Sequence, residues 1–209
     1  MPAGYGVKLF GDWGKAAAIL GSLDKRFQAA AKRAMLQEAQ FLRGEIVKGI
    51  RDQAPGGQPF APLAKSTLAT RKFRGFGGTK ALMVRGDLRN SIVVKAVADG
   101  QAVFVGVLRS AKGKNGQSLV DVARLMEEGG GPFLVPITPK SSRFYHAAMR
   151  KAGISIPSTH GGGGGVAVAI VRIKARPFLA PVFAQHGQPN KVRERFFLRL
   201  ANLFMGTEG

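Results

Sequence analysis

The chain has 209 residues, 32 of them Lys or Arg against 12 Asp or Glu, giving a formal net charge of +20. A hydrophobic fraction of 45% separates it from a disordered polycation, and the length fits one domain with a real core. The absence of cysteine excludes disulfides, thiolate metal sites, cysteine nucleophiles and Fe–S clusters. No apolar run reaches the roughly 18 residues of a membrane span. Met1-Pro2-Ala3-Gly4-Tyr5 has neither the charged nor the apolar region of a signal peptide.

Residues 1–11 are Gly-rich and read as a flexible arm. Asp12 or Ser22 is placed to cap the helix that follows. From Leu23 to Arg51, Phe27, Ala31, Met35, Ala39, Leu42, Ile46 and Ile50 recur at steps of three or four, one face of a long helix. Lys25, Arg26, Lys32, Arg33, Arg43 and Lys48 take the other side, Gly44 and Gly49 weaken the helix locally, and Pro55-Gly56-Gly57 stops it. Residues 54–80, with Pro55, Pro59, Pro62, Gly75, Gly77 and Gly78, read as a basic loop holding a short helix over Ser66–Lys72. Leu88–Ala98 and Ala102–Leu108 read as two strands of a hairpin turning at Asp99-Gly100. Gly86 permits a tight turn into the first strand, and the even spacing of Leu88 and Ile92 places both on one sheet face.

Lys112 to Gly116 is a polar connector, and Ser118–Glu128 is an amphipathic helix presenting Leu119, Val122, Leu125 and Met126. Gly129-Gly130-Gly131-Pro132 ends that helix, and Phe133–Ile137 is a short strand. Pro139–Ala152 is a helix, 157–165 a Gly-rich loop and Val166–Ile173 a strand. Pro189–Met205 closes the domain as a helix with Val192, Phe196, Leu200 and Leu203 inward, leaving 206–209 as a tail. The expected fold is therefore α+β over residues 12–205: a small antiparallel sheet, long helices at both ends and long extended loops.

The positive charge comes from two acid-free tracts. Between Asp52 and Asp87 lie Lys65, Arg71, Lys72, Arg74, Lys80 and Arg85; between Glu128 and Glu194 lie nine Lys or Arg and all three histidines. Such a balance favours a polyanionic neighbour, either nucleic acid or an acidic protein surface. His146, His160 and His186 are too far apart in sequence to form a metal-ligand pair, so no metal is expected. Glu127 and Glu128 are adjacent and diverge by about 100° on a helix, unsuited to flanking one substrate bond. Gly161–Gly165 lacks the Gly-Lys-Ser/Thr ending of a phosphate loop, and no G-x-S-x-G motif occurs. No catalytic residue or cofactor is expected; a nuclease or wall hydrolase is disfavoured by the lack of an acidic cluster. Lys72-Phe73-Arg74-Gly75-Phe76 interleaves aromatic and basic residues, which suits phosphates, stacked bases or docking on a neighbouring subunit.

Several segments, in order, resemble the phage virion morphogenesis family, the neck and tail-completion proteins of tailed bacteriophages. Leu82-Met83-Val84-Arg85-Gly86-Asp87-Leu88-Arg89-Asn90-Ser91-Ile92 is similar to its L-x-x-[TS]-G-x-L-x-x-S-I segment, with Arg85 where the family has Thr or Ser. Val105-Gly106, Ala123–Gly129 and Pro136-Ile137-Thr138-Pro139-Lys140 resemble its return strand, helix end and I-P-[IV]-T-x-K segment. Ala175-Arg176-Pro177-Phe178-Leu179-Ala180-Pro181 is similar to its [PA]-A-R-P-F-L-x-P, and Pro59-Phe60-Ala61-Pro62-Leu63 with Thr67 to the stretch before its basic loop. The resemblance implies structural roles for Gly86, Asp87, Leu88, Ser91, Ile92, Pro177, Phe178, Leu179 and Pro181.

It further implies a structural virion protein, made in the host cytoplasm. The family's rings, generally taken as hexamers, join the head-closure or adaptor proteins to the tail-terminator or tail-tube proteins. Genomic DNA passes through the channel without being read. On that expectation Lys65, Arg71, Lys72, Arg74 and Lys80 face DNA or a docking partner, and Arg176 pairs with Glu127 or Glu128 of an adjacent subunit. The alternative is a free-standing, non-specific basic DNA-binding protein.

Overall fold

A computed structural model describes residues 4–8, 25–97, 102–155 and 168–205, with only the backbone described for 4–8. The fold is α+β. Helix α1 (Lys25–Asp52) leads into a one-turn 3-10 helix (Pro55–Gly57) and α2 (Lys65–Phe73). A helical turn α3 (Asp87–Asn90) precedes strands β2 (Ile92–Val97) and β3 (Ala102–Leu108). Strand β1 (Gly4–Lys8), inside the segment read as an arm, pairs antiparallel with β3, so the sheet order is β1-β3-β2. Then come α4 (Leu119–Glu128), β4 (Gly130–Pro136), α5 (Pro139–Lys151), β5 (Val168–Ile173), α6 (Ala180–His186) and α7 (Pro189–Met205). β4 and β5 form a separate two-stranded antiparallel ribbon.

The core lies between α1 and one face of the three-stranded sheet. Cross-strand partners Ile92–Val107 and Val94–Val105 point to the same face, and Leu42, Ile46 and Ile50 of α1 meet that face. Phe178, Leu179, Val182 and Phe183 complete this cluster. The inward stripe read from the sequence of α1 is the observed one from Ala31 to Ile50, with Phe27 and Met35 only half-buried. Gly49 is less a weak point than a seat: a Cβ there would lie 2.5 Å from Pro55 Cα, so the chain after α1 folds back directly onto the helix.

Three further expectations are corrected. Leu88 is not in a strand: Gly86 adopts φ 77° and starts the helical turn α3, and Ser91 Oγ closes it by donating to Leu88 O at 2.8 Å. Leu88 and Ile92 are both buried, but by a turn followed by a strand and not by strand alternation. β4 begins on the glycines at Gly130, where pairing with β5 supplies order that Gly-Pro composition does not advertise. Residues 180–186, a Pro-bounded segment without an expected element, form α6, because Pro181 sits in the first turn, where its missing N–H costs nothing. The segment 54–80 is a loop outside the 3-10 turn and α2, with the short helix expected there, and it is tied to the end of α1. Gln53 Nε2 donates to Ile50 O and Ala81 O, its Oε1 accepts from Ala81 N, and its own carbonyl accepts from Phe60 N. The expected caps at Asp12 and Ser22, the Asp99-Gly100 turn and the 157–165 loop lie outside the described residues.

α7 runs antiparallel to α1. Ala30, Ala31 and Ala34 let Phe196 and Leu200 approach closely, and Phe27 meets Phe204 edge-on at 5.6 Å. At the middle of this contact Glu38, 2% exposed, accepts from Arg195 Nε at 2.9 Å and also pairs with Arg199. Both guanidiniums lie over the Phe41 ring, at 4.7 and 5.6 Å. A buried carboxylate is tolerable only with such full pairing. Glu38→Ala should therefore destabilise the chain by about 3 kcal/mol, toward the low end for a broken buried pair because both guanidiniums keep some water. Urea unfolding monitored by circular dichroism measures this; a loss under about 0.5 kcal/mol would make the pairing incidental.

Candidate functional site

α2 and α5 are brought together by a small apolar contact of Ala69, Ala148 and Met149, with Ile154 against them. α5 starts well for local reasons: Thr138 Oγ1 accepts from Ser141 N at 3.1 Å, and Pro139 occupies the first turn. Phe73 and Phe144 meet edge-on at 5.2 Å between the helices. Arg74 lies 5.0 Å from the Phe144 centroid and Lys151 6.0 Å from that of Phe73, so the aromatic pair orders two cations on its surface.

The two helices and the Arg74 cap carry Lys65, Arg71, Lys72, Arg74, Lys140, Arg143, Arg150 and Lys151, eight cations, and no carboxylate. In the sequence these belong to two tracts far apart; the fold makes them one layer. Lys65, Lys72 and Arg74 are exposed there. Arg71, half-buried, and Lys80, exposed, which are grouped with them from sequence, are each tied to backbone of the same chain. Arg71 Nη1 donates to Lys80 O at 2.9 Å, and Lys80 Nζ donates to Arg51 O at 2.7 Å, at the C-terminal end of α1. Burial, and then the nearby guanidinium of Arg176, lower the pKa of Arg71 below arginine's ordinary value.

Beside α2 opens a cleft of about 420 Å³, lined by Arg71, Arg74, Phe76, Arg85, Asp87 and Gln117 among others. Arg85 stacks 5.2 Å from the Phe76 centroid and donates to Asn115 Oδ1. Three guanidiniums and one carboxylate leave the cleft cationic, suited to an acidic side chain or a phosphate. Gly86 and Asp87 of the motif form part of its wall, and Asp87 Oδ2 accepts weakly from Lys114 N at 3.4 Å.

The joint beneath this layer is built by Arg176 and Glu127. Buried Arg176 donates from Nε to Ala61 O at 2.9 Å and from Nη2 to Pro62 O at 3.0 Å. Glu127, at the end of α4, accepts from Phe178 N and Leu179 N through Oε1, both at 2.7 Å. Glu128 instead pairs with Arg124 one turn back, at 3.2 Å on the surface. Thus Arg176, Glu127 and Glu128, the three groups expected to pair across subunits, each have partners inside one chain, the first two on backbone and Glu128 on Arg124. Phe178 and Leu179 are core residues and Pro181 is buried. The signal for this joint is present in the sequence: a carboxylate before a Gly-Gly-Gly break and an arginine before Pro-Phe-Leu. The partners, 51 and 115 residues away, are not.

Among the described residues no group of three His, Cys, Asp or Glu is placed to hold a metal, and no helix is long and apolar enough to cross a membrane. His186 instead lies 3.7 Å from Glu45 and edge-on to Phe41.

Residues 12–114, just under half of the chain, match the model of the Phage virion morphogenesis family, a match that supports a phage virion morphogenesis protein with a structural or morphogenetic role. The match takes in α1, α2, the Gly86 motif and β2–β3; α4 to α7, with Glu127 and Arg176, lie beyond it. Comparison with curated proteins and with solved structures finds no match.

Removal of the Glu127 carboxylate strands the Phe178 and Leu179 N–H groups, so Glu127→Ala should cost about 2–3 kcal/mol. Glu128→Ala should cost about 0.5 kcal/mol, the scale of an exposed i,i+4 pair. Chemical denaturation of the two variants side by side checks the contrast; equal losses would remove the joint from its place in the fold.

Proposed function

We propose that the chain completes the head-to-tail joint of a tailed phage as a homo-oligomeric ring around the DNA channel. The resemblance supports a six-fold ring between head-closure or adaptor proteins and tail-terminator or tail-tube proteins. The observation that carries the reading is the α2–α5 layer, with eight cations and no carboxylate. Cations spread over two helices, two of them steadied on aromatic rings, attract phosphates without a bidentate reading of bases. Such attraction is sequence-independent and lets a duplex slide, as a channel requires.

The same layer supports the second reading, a free-standing non-specific DNA-binding protein. The exposed apolar ribbon β4–β5 and the outer side of α7 favour the assembled reading, because a monomer gains nothing by showing them to water.

The layer is tested by replacing the exposed Lys65, Lys72, Lys140, Arg143 and Arg150 together with Gln. The variant should fold, and the slope of log affinity for bulk duplex DNA against log salt should flatten by about 0.9 for each phosphate no longer neutralised. Virions carrying the variant should form but retain or eject DNA abnormally. An unchanged slope with normal ejection would assign the layer to an acidic protein neighbour. Imaging of intact particles tests the neck placement itself: ring-shaped density for this chain at the joint is expected, and its absence from purified virions would leave the free DNA-binding reading.

A further inference from the structure

Among the described residues, two apolar surfaces of this chain have no cover. The first is one face of the β4–β5 ribbon. The register pairs Leu134 with Ile170 and Pro136 with Val168, so all four point the same way, and Leu134 and Ile170 are 69% and 67% exposed. The opposite face, with Phe133, Val135 and Val171, is better covered. An isolated two-stranded ribbon is marginal in water, and an apolar one needs a cover.

The second surface is the outer side of α7. Phe197, Leu198, Phe204 and Met205 recur at steps of one and seven, a stripe displaced from the inward Val192, Phe196 and Leu200, with Phe204 at its border, 58% exposed and edge-on to Phe27 of α1. Leu198 is 65% and Met205 68% exposed. A helix apolar on two sides is one that expects burial on both.

We infer that the Leu134/Ile170 face of the ribbon in one copy docks on the Phe197/Leu198/Phe204/Met205 stripe of α7 in the next. The inference rests on the ring reading above and names its interface. Charge selects a second copy as the occupant. Copies at +20 repel one another, so they meet most readily where like charge is sparse or opposite charge faces it. β4 carries no charged residue, and β5 only Arg172, which alternates onto the Ile170 face. On α7 the exposed Glu194 stands one turn before Phe197 and Leu198 as a charge of opposite sign, and Arg199 is turned inward to Glu38.

Two different surfaces select a head-to-tail contact. A ribbon-on-ribbon pairing would leave every α7 stripe bare, whereas ribbon on helix covers both surfaces with a single repeated contact, and such contacts close into rings. The exposed side chains of the two patches amount to on the order of 1,000 Å², about the threshold of a specific interface.

The natural absence of cysteine makes the test direct. Full-length Leu134→Cys and Leu198→Cys chains, one with an affinity tag, are mixed at high concentration and treated with a bismaleimide. The mixed tagged–untagged dimer should exceed either self-dimer several-fold, and the double variant should give a ladder that ends at the ring size. Single-cysteine chains cannot cross-link internally, so cover by a chain's own terminal residues yields no product and overturns the inference. A dominant Leu134→Cys self-dimer overturns it in favour of ribbon on ribbon. No cross-link in a chain that light scattering shows to be oligomeric overturns this interface and leaves the ring; no cross-link in a persistent monomer overturns self-assembly through these faces altogether. Ile170→Lys should abolish the oligomer with an unchanged circular dichroism spectrum, and an oligomer that survives it overturns the docking.

Discussion

The tract from Arg176 to Leu179 holds the molecule together. Its two apolar residues enter the core beneath α1 and the sheet. Its backbone N–H groups are taken by Glu127. Its arginine is committed to the carbonyls of Ala61 and Pro62. The segment 53–64 has little regular structure to satisfy its own polar groups, and a guanidinium with five donors in a fixed fork is well matched to two successive carbonyls. Through that segment the position of α2 is set, and through α2 the cationic layer.

Charge enters this protein in two ways that the composition does not separate. Glu38 with Arg195 and Arg199, Glu127 with the 178–179 backbone, Lys80 with Arg51 O and Arg176 with residues 61–62 are internal fastenings. The α2–α5 cations other than Arg71 form outward-facing surface. Acids are scarce, and two that are well buried or bonded serve the fold, so few remain to neutralise the layer. The net +20 is thus felt at the surface partly because of where the few carboxylates are used.

Helices and their inward faces were legible in the sequence. α7 begins and ends where periodicity and Pro189 placed it, α2 extends one residue further at each end, and α4 starts one residue later. These elements are amphipathic, and their apolar spacing records which side is buried. The misses share a cause. α3, the start of β4 and α6 are short and are defined by what they touch: Ser91 closing a turn, β5 pairing with glycines, Pro181 packed beside the 3-10 turn. The site was half legible. Acid-free tracts flagged the cations, but Arg71 and Lys80 look no different in sequence from Lys65 and Lys72. Only the carbonyls facing them, supplied by distant backbone, distinguish fastening from surface.

The Arg176–Glu127 joint also sits at the root of the β4–β5 ribbon. Glu127 precedes β4 by three residues, Arg176 follows β5 by three, and Arg176 N donates to Met126 O at 2.6 Å. Both strands are therefore pinned to each other and to the core at the same point. The ribbon, the end of α4 and residues 61–62 therefore share a single anchorage, so that an apolar appendage and the segment leading into the cationic helix hang from the same few bonds.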